Sequence, residues 1–253
     1  MRCGRCGLVF ANPMPVPFDI AQHYDTPPES YWKPEYFTED PSYFGDQAES
    51  FWRIWQGTGT PVALDVGAGI GKCMRSLEAR GFEAHGLEPS AAFRQMGIER
   101  MGIDPTRLRL GGVEDVEYEL ATFDFATFGA VLEHLVDPAA QIERVMSWLA
   151  PGGLLHLEVP SSDWLTARIV NLVYRMQALD YVTNLSPMHP PYHLYEFTPR
   201  SFEAHAARCG YAVAETRRLP GHDIFLPGPA SLWRRLMTRT GTGMQLEMWL
   251  RAT

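Results

Sequence analysis

The chain has 253 residues, 45% of them hydrophobic, and carries 22 Lys and Arg against 30 Asp and Glu, a formal net charge of −8. That length supports one large α/β domain or two small ones with a substantial core. The acidic balance argues against nucleic acid as a partner, and no apolar run of about 18 residues argues for a membrane span. Four cysteines make no disulfide framework, so a reducing cytoplasm is the expected location.

The first feature in chain order is Met1-Arg-Cys3-Gly-Arg-Cys6-Gly, a C-x-x-C knuckle. It offers two of the four ligands that a tetrahedral zinc site needs. Residues 11–60 are rich in Pro and aromatics, with Pro breaking regular structure until a helix over about 45–55. From residue 61 the pattern changes. Strands are expected at 62–66, at 83–88, at 123–129 and over Leu154-Leu-His-Leu-Glu-Val-Pro-Ser161. Between them lie helices over 72–81, 91–102 and 139–150, the last closed by Pro151-Gly152-Gly153. This alternation argues for a parallel sheet flanked by helices. The tail reads as a helix from Pro199, a strand over 212–219, a short helix near 231–238 and a last strand over 244–251. The expected division is therefore an N-terminal arm, 1–60, and a main domain, 61–253, with an insertion around 161–200.

The chemistry concentrates at Asp65-Val-Gly67-Ala68-Gly69-Ile-Gly71, where a buried strand runs into a glycine turn and a helix. Glycines let the backbone turn sharply and a ligand approach closely. The helix start presents main-chain N–H groups. Glu88, 21 residues after Gly67, ends the next strand and suits the two hydroxyls of a ribose. A dinucleotide fold wants G-x-G-x-x-G, but Lys72 stands at the third glycine position. A carboxylate at Asp65 would repel a pyrophosphate and attract an ammonium group. S-adenosyl-L-methionine (SAM) has no phosphate and carries an ammonium, so the spacing favours SAM.

These residues resemble motif I of the class I SAM-dependent methyltransferases. Gly86-Leu-Glu88-Pro89-Ser90, the stretch 123–161 with Leu132-Glu133-His134-Leu135 and Asp137-Pro138, and His189-Pro-Pro-Tyr192-His193-Leu-Tyr-Glu196-Phe-Thr198 are similar to later segments of the family. The likeness covers about 60–215. It implies a Rossmann-like fold, a mostly parallel seven-stranded sheet with an antiparallel C-terminal strand and helices on both faces. It implies SAM as cofactor and S-adenosyl-L-homocysteine as product. Carried over residue by residue, Asp65, Gly67, Ala68 and Gly69 line the methionine end. Glu88 holds the ribose, with Pro89 also among the cofactor-binding residues, Val113 and Glu114 hold the adenine, and Phe128 and Gly129 pass near the sulfonium. Relatives often place Asp where Gly112 stands here, so the adenine contact departs from the pattern.

His193 and then His134 are the candidate bases. Glu133, His189, Tyr192 and Glu196, with Tyr31 and Tyr36 of the arm, are candidates for lining the acceptor pocket, and Tyr24 joins the arm as a lid residue. The histidines could instead be structural, and the arm could be packing. No metal is expected at His189 and His193, because Pro190-Pro191 bars the helix that would bring an i, i+4 pair together. The expected activity is methyl transfer to a small molecule, a sugar or specialised metabolite, at O or N in preference to C, by a monomer or homodimer. The alternatives are a catalytically silent SAM-binding scaffold and a nicotinamide-dependent oxidoreductase. The opening knuckle resembles the second half of a zinc ribbon that precedes this fold in some relatives, "C-x-x-C-G-L-V-F-x-N-P". Two thiolates do not close a structural site, so zinc at Cys3 and Cys6 is not expected.

Overall fold

The structure, a computed structural model, describes residues 1–18, 23, 27, 37–38, 40, 42–179, 182–187, 191–221 and 228–253. Nine strands are named along them: β1 (Val9–Phe10), β2 (Val62–Val66), β3 (Glu83–Glu88), β4 (Leu108–Leu110), β5 (Phe123–Gly129), β6 (Leu149–Pro160), β7 (Tyr195–Glu196), β8 (Tyr211–Leu219) and β9 (Gln245–Ala252). The helices are α1 (Gly45–Ile54), α2 (Lys72–Glu78), α3 (Ala91–Met101), α4 (Pro138–Trp148), α5 (Leu165–Met176), α6 (Pro199–Cys209) and α7 (Ala230–Thr240). Seven strands form one sheet in the order β4-β3-β2-β5-β6-β9-β8, mostly parallel, with the C-terminal strand antiparallel. The expected fold class is the one observed.

Two compact units make up the chain. One comprises Met1–Val16, Ala130–Pro138 and Leu157–Leu250, and the other Pro17–Gly129, Ala139–His156 and Arg251–Thr253. In the second unit β2 pairs in parallel with β3 on one side and with β5 on the other. Chain order runs outward from β2 to β3 and β4, then returns to β5 on the opposite side, so a topological switch point lies at the carboxyl end of β2. β2 and β5 are buried along almost their whole length, as a central parallel strand must be.

Local sequence explains the boundaries. Gly71 caps α2 in the left-handed conformation, with φ 79°. Ser90 caps α3, its hydroxyl accepting from the N–H of Phe93. α1 docks through Phe51, which is fully buried and lies 4.8 Å from Phe82 and 5.1 Å from Phe125, ring centroid to centroid. The described aromatics of the arm nearest the sheet are thus packing. Tyr24, Tyr31 and Tyr36 lie outside the described residues.

Close packing also fixes α3 against the glycine turn. A Cβ at Gly97 would stand 2.9 Å from the carbonyl oxygen of Ile70. Gly→Ala inside a helix ordinarily gains up to about 1 kcal/mol. Overpacking against a rigid main chain costs about 1–3 kcal/mol and wins here. Gly97→Ala should therefore lower the melting temperature by a few degrees, about 2–4 °C per kcal/mol for a chain of this size. Thermal melts of the two proteins check it.

The other unit contains the knuckle. Cys3 N–H donates to the Leu8 carbonyl at 2.8 Å, and Gly7 N–H returns to the Cys3 carbonyl at 2.9 Å. β1 pairs antiparallel with β7, Val9 opposite Glu196 and Phe10 opposite Tyr195. The Thr198 hydroxyl donates to the Cys6 carbonyl at 2.6 Å while it caps α6 in a capping box. The sequence reading assigns no element to 165–176 or 108–110 and no partner to Val9–Phe10. α5, β4 and the β1–β7 pair are additions from the structure.

Candidate functional site

The parallel strands of the second unit end at one edge, which collects Asp65, Glu88, Leu110 and Gly129. Gly67, Gly69 and Gly71 all have positive φ (77°, 56° and 79°), which Ala or larger residues resist. The N–H groups of Gly67 and Ala68 both donate to the Leu87 carbonyl, at 2.9 and 2.8 Å, tying the turn to β3. Glu88 is locked by the main chain. One carboxylate oxygen accepts from Gly69 N–H and the other from Ser90 N–H, each at 2.7 Å.

Asp65 and Glu88 are both buried. Burial, with repulsion from Glu88, raises Asp65 to about 7, against a hydrogen bond with the Cys73 thiol that pulls it down. Burial likewise raises Glu88 to about 7, opposed by the two N–H donors. The Cys73 thiol is pushed up by its own burial and by Asp65. Two buried carboxylates with few compensating donors suit a ligand that brings a cation and hydroxyl groups. They do not suit a pyrophosphate. Lys72 turns its ammonium over the ring of Tyr43, 4.9 Å from the centroid.

Val113 is buried and Glu114 partly so, and burial raises the Glu114 carboxyl. A Cβ on Gly112 would meet a Glu114 carboxylate oxygen at 2.8 Å. A side chain at position 112 would therefore crowd the Glu114 carboxylate. The Phe128 side chain is fully buried, and Gly129 is exposed. Ala68 is buried, and Pro89 is partly buried.

In the other unit, a 3-10 turn over Leu132–His134 presents Glu133 and His134. The segment Tyr192–Glu196 runs beside it, with Leu194 N–H donating to the Glu133 carbonyl at 2.9 Å. His134 Nδ1–H donates to the Tyr192 carbonyl at 2.8 Å, and its Nε2 lies 4.0 Å from Glu133 Oε1. The rings of His134 and His193 meet edge to face, 4.6 Å between centroids. Burial lowers His193, and a hydrogen bond to the main chain of Asn184 works the other way, which marks its partner as the Asn184 carbonyl. Burial raises Glu133 to about 8, with Glu158 adding to the effect and its own N–H opposing it. Glu196 is raised to about 7 by burial and accepts from the Asn184 side chain at 2.9 Å. The structure brings Glu133, His134, Tyr192, His193 and Glu196 into one region. His189 lies outside the described residues.

Asn184 is the residue that sequence reasoning missed. It takes a left-handed conformation, φ 80°, and links His193 to Glu196. Its one signal is the Thr183-Asn184 turn ahead of Pro187.

A parallel sheet whose switch point carries D-x-G-x-G-x-G, with an acidic residue ending the next strand, defines a SAM-binding domain of the class I methyltransferase type. Residues 53–216 match the family described as the methyltransferase domain. The chain belongs to that family, and SAM is its cofactor. It is 34% identical over 94 residues to an uncharacterised methyltransferase of Mycobacterium tuberculosis, covering 37% of each chain. It is 26% identical over 170 residues to a ubiquinone biosynthesis O-methyltransferase of Marinobacter nauticus, covering 60% of this chain and 64% of that one. The chain thus spans between 37% and 64% of the length of these curated relatives. In fold it is similar to a SAM-dependent methyltransferase from Mesorhizobium loti, with TM-score 0.56 and 14% identity over 84% of this chain and 98% of that one. No helix among the described residues is long and apolar enough to cross a membrane.

Proposed function

We propose that the chain transfers the methyl group of SAM to an oxygen or nitrogen of a small molecule, a sugar or specialised metabolite. The observation that carries the reading is the pair of buried carboxylates, Asp65 and Glu88, on either side of the glycine turn. When bound there, SAM supplies a methyl group on a sulfonium, a leaving group that needs little further activation. Asp65 holds the ammonium end. Glu88, fixed by the N–H groups of Gly69 and Ser90, accepts the ribose hydroxyls, and Val113 and Glu114 hold the adenine. The protein's main task is then orientation, since an aligned pair of reacting atoms at about 3–3.5 Å already removes much of the barrier.

An acceptor hydroxyl must lose its proton as the new C–O bond forms. An imidazole is the side chain matched to take it near neutral pH. His193 fills that role, with His134 against it and Glu133, Tyr192 and Glu196 shaping the acceptor's surroundings. Likeness to an O-methyltransferase supports oxygen as the methylated atom. Parallel calorimetric titrations with SAM and NAD, followed by turnover on a panel of sugars, phenols and amines, test the reading. The expected result is SAM binding, no NAD binding and S-adenosyl-L-homocysteine release with at least one hydroxyl or amine acceptor. Tight NAD binding without SAM binding would overturn it.

A further inference from the structure

We infer that Glu133, His134 and His193 form a binding site for one divalent first-row transition cation, held by two imidazole nitrogens and one carboxylate oxygen. Each residue offers one ligand atom, and these atoms lie within 4.8 Å of one another. A tetrahedral shell with ligands at about 2.0–2.1 Å separates ligand atoms by roughly 3.3 Å. Closure on a cation therefore asks each pair to approach by at most about 1.5 Å, within reach of side-chain rotation.

Three independent features point the same way. The first is orientation. His134 gives its Nδ1 proton to the Tyr192 carbonyl, which leaves Nε2 as the lone-pair nitrogen, on the side of Glu133. His193 is likewise bonded to the main-chain carbonyl of Asn184. An imidazole anchored through one nitrogen by a carbonyl is the usual outer support of a metal ligand. The second feature is an unsatisfied oxygen. Glu133 is 2% exposed, and its Oε2 is buried with no hydrogen-bond partner. A carboxylate oxygen left so costs free energy unless a cation or donor completes it. The third is rigidity. Leu194 N–H ties the His193 segment to the Glu133 carbonyl, and Ser186 and His193 exchange both main-chain hydrogen bonds at 3.1 Å. The ligands thus stand on main chain that is already fixed.

Two nitrogens and one oxygen suit zinc, cobalt, manganese or iron(II), and suit calcium and magnesium poorly, since those take oxygen shells. The sequence pattern concealed the site because its two histidines come from different loops. The role of the cation rests on the methyl-transfer reading, but its binding does not. In that role the cation acidifies an acceptor hydroxyl. The O–H proton passes to water, the oxygen pair forms the C–O bond, and the C–S pair returns to sulfur. His134 and His193 then serve as ligands, and proton transfer to His193 is not needed.

The test uses the full chain with Cys3→Ser and Cys6→Ser, so that these half-buried thiols cannot supply the site, stripped with a chelator and titrated with cobalt(II). One equivalent should bind, with visible d–d bands and no thiolate-to-cobalt charge transfer. Glu133→Gln, His134→Ala and His193→Ala should each weaken binding at least tenfold, while SAM titration of the same samples gives the parent's affinity and so reports intact folding. Failure of the parent to bind cobalt, or equal binding by all three variants, would overturn the site. Cobalt binding without any SAM binding would keep the site and remove the methyl-transfer reading instead.

Discussion

Glu88→Ala should weaken SAM binding by two orders of magnitude or more. Hydrogen bonds to a charged group contribute about 1.5–3 kcal/mol each. Two ribose hydroxyls on one carboxylate then amount to about 3–6 kcal/mol, and each 1.4 kcal/mol is about tenfold in affinity. The substitution also strands the N–H groups of Gly69 and Ser90, so the turn itself loosens. Calorimetry measures the effect, and an affinity within threefold of the parent would show that Glu88 does not hold the ribose.

The same pair gives binding a pH dependence. Asp65 and Glu88 each stand at about 7 in the folded protein, against ordinary values of 3.8 and 4.5. Their folded values are raised, so the unliganded fold binds more protons than the unfolded chain between those limits. Their contribution to its stability is therefore lost as pH rises from about 4 to about 7. An ammonium group favours the ionised carboxylate. SAM affinity should accordingly increase as pH rises towards 7, about tenfold per unit for each proton that must leave. Glu133 and Glu196 are raised as well, to about 8 and about 7, and push unliganded stability in the same direction. The increase in melting temperature on adding SAM isolates Asp65 and Glu88, and it should grow between pH 5 and pH 8. An increase that stays flat across that interval would mean that neither carboxylate faces the ligand.

His193→Ala should lower kcat by about 10²–10⁴, the usual contribution of a positioned proton acceptor, with SAM affinity unchanged. His134→Ala should act in the same direction. Neither ring is among the residues assigned to SAM, which is why SAM binding should survive. Chelator treatment of the unsubstituted enzyme separates the two means of activation. Retained turnover identifies His193 as the proton acceptor, and turnover restored only by added cobalt or zinc identifies the cation. Near-normal turnover of both histidine variants would remove this cluster from the reaction.

The glycine turn was legible in the sequence because its information is local. Asp65, the glycines and Glu88 are set by strand periodicity and by a fixed spacing, and a parallel strand–helix–strand unit allows few ways to place them. β2, β3 and β5 begin and end where the apolar runs do. α5 escaped because Leu165–Met176 follows the polar Ser161-Ser162-Asp163, in a stretch read as an insertion, and leaves Leu172 and Met176 exposed. β4 is three residues long and exists through its pairing with β3, a contact no local pattern announces.

The sequence by itself determined the class of fold and the cofactor, since both follow from short-range pattern and the chemistry of buried carboxylates. Tertiary structure alone decided what the knuckle and the histidines touch. Cys3 and Cys6 form no disulfide, and the knuckle is held by main-chain pairing of Val9–Phe10 with Tyr195–Glu196 and by the Thr198 hydroxyl. Those partners lie almost two hundred residues away in the chain. Glu133, His134 and His193 converge because Leu194 pairs with the turn at Glu133, and Asn184 joins them through a left-handed bend. Such pairings depend on the closing of long loops, which no periodicity encodes.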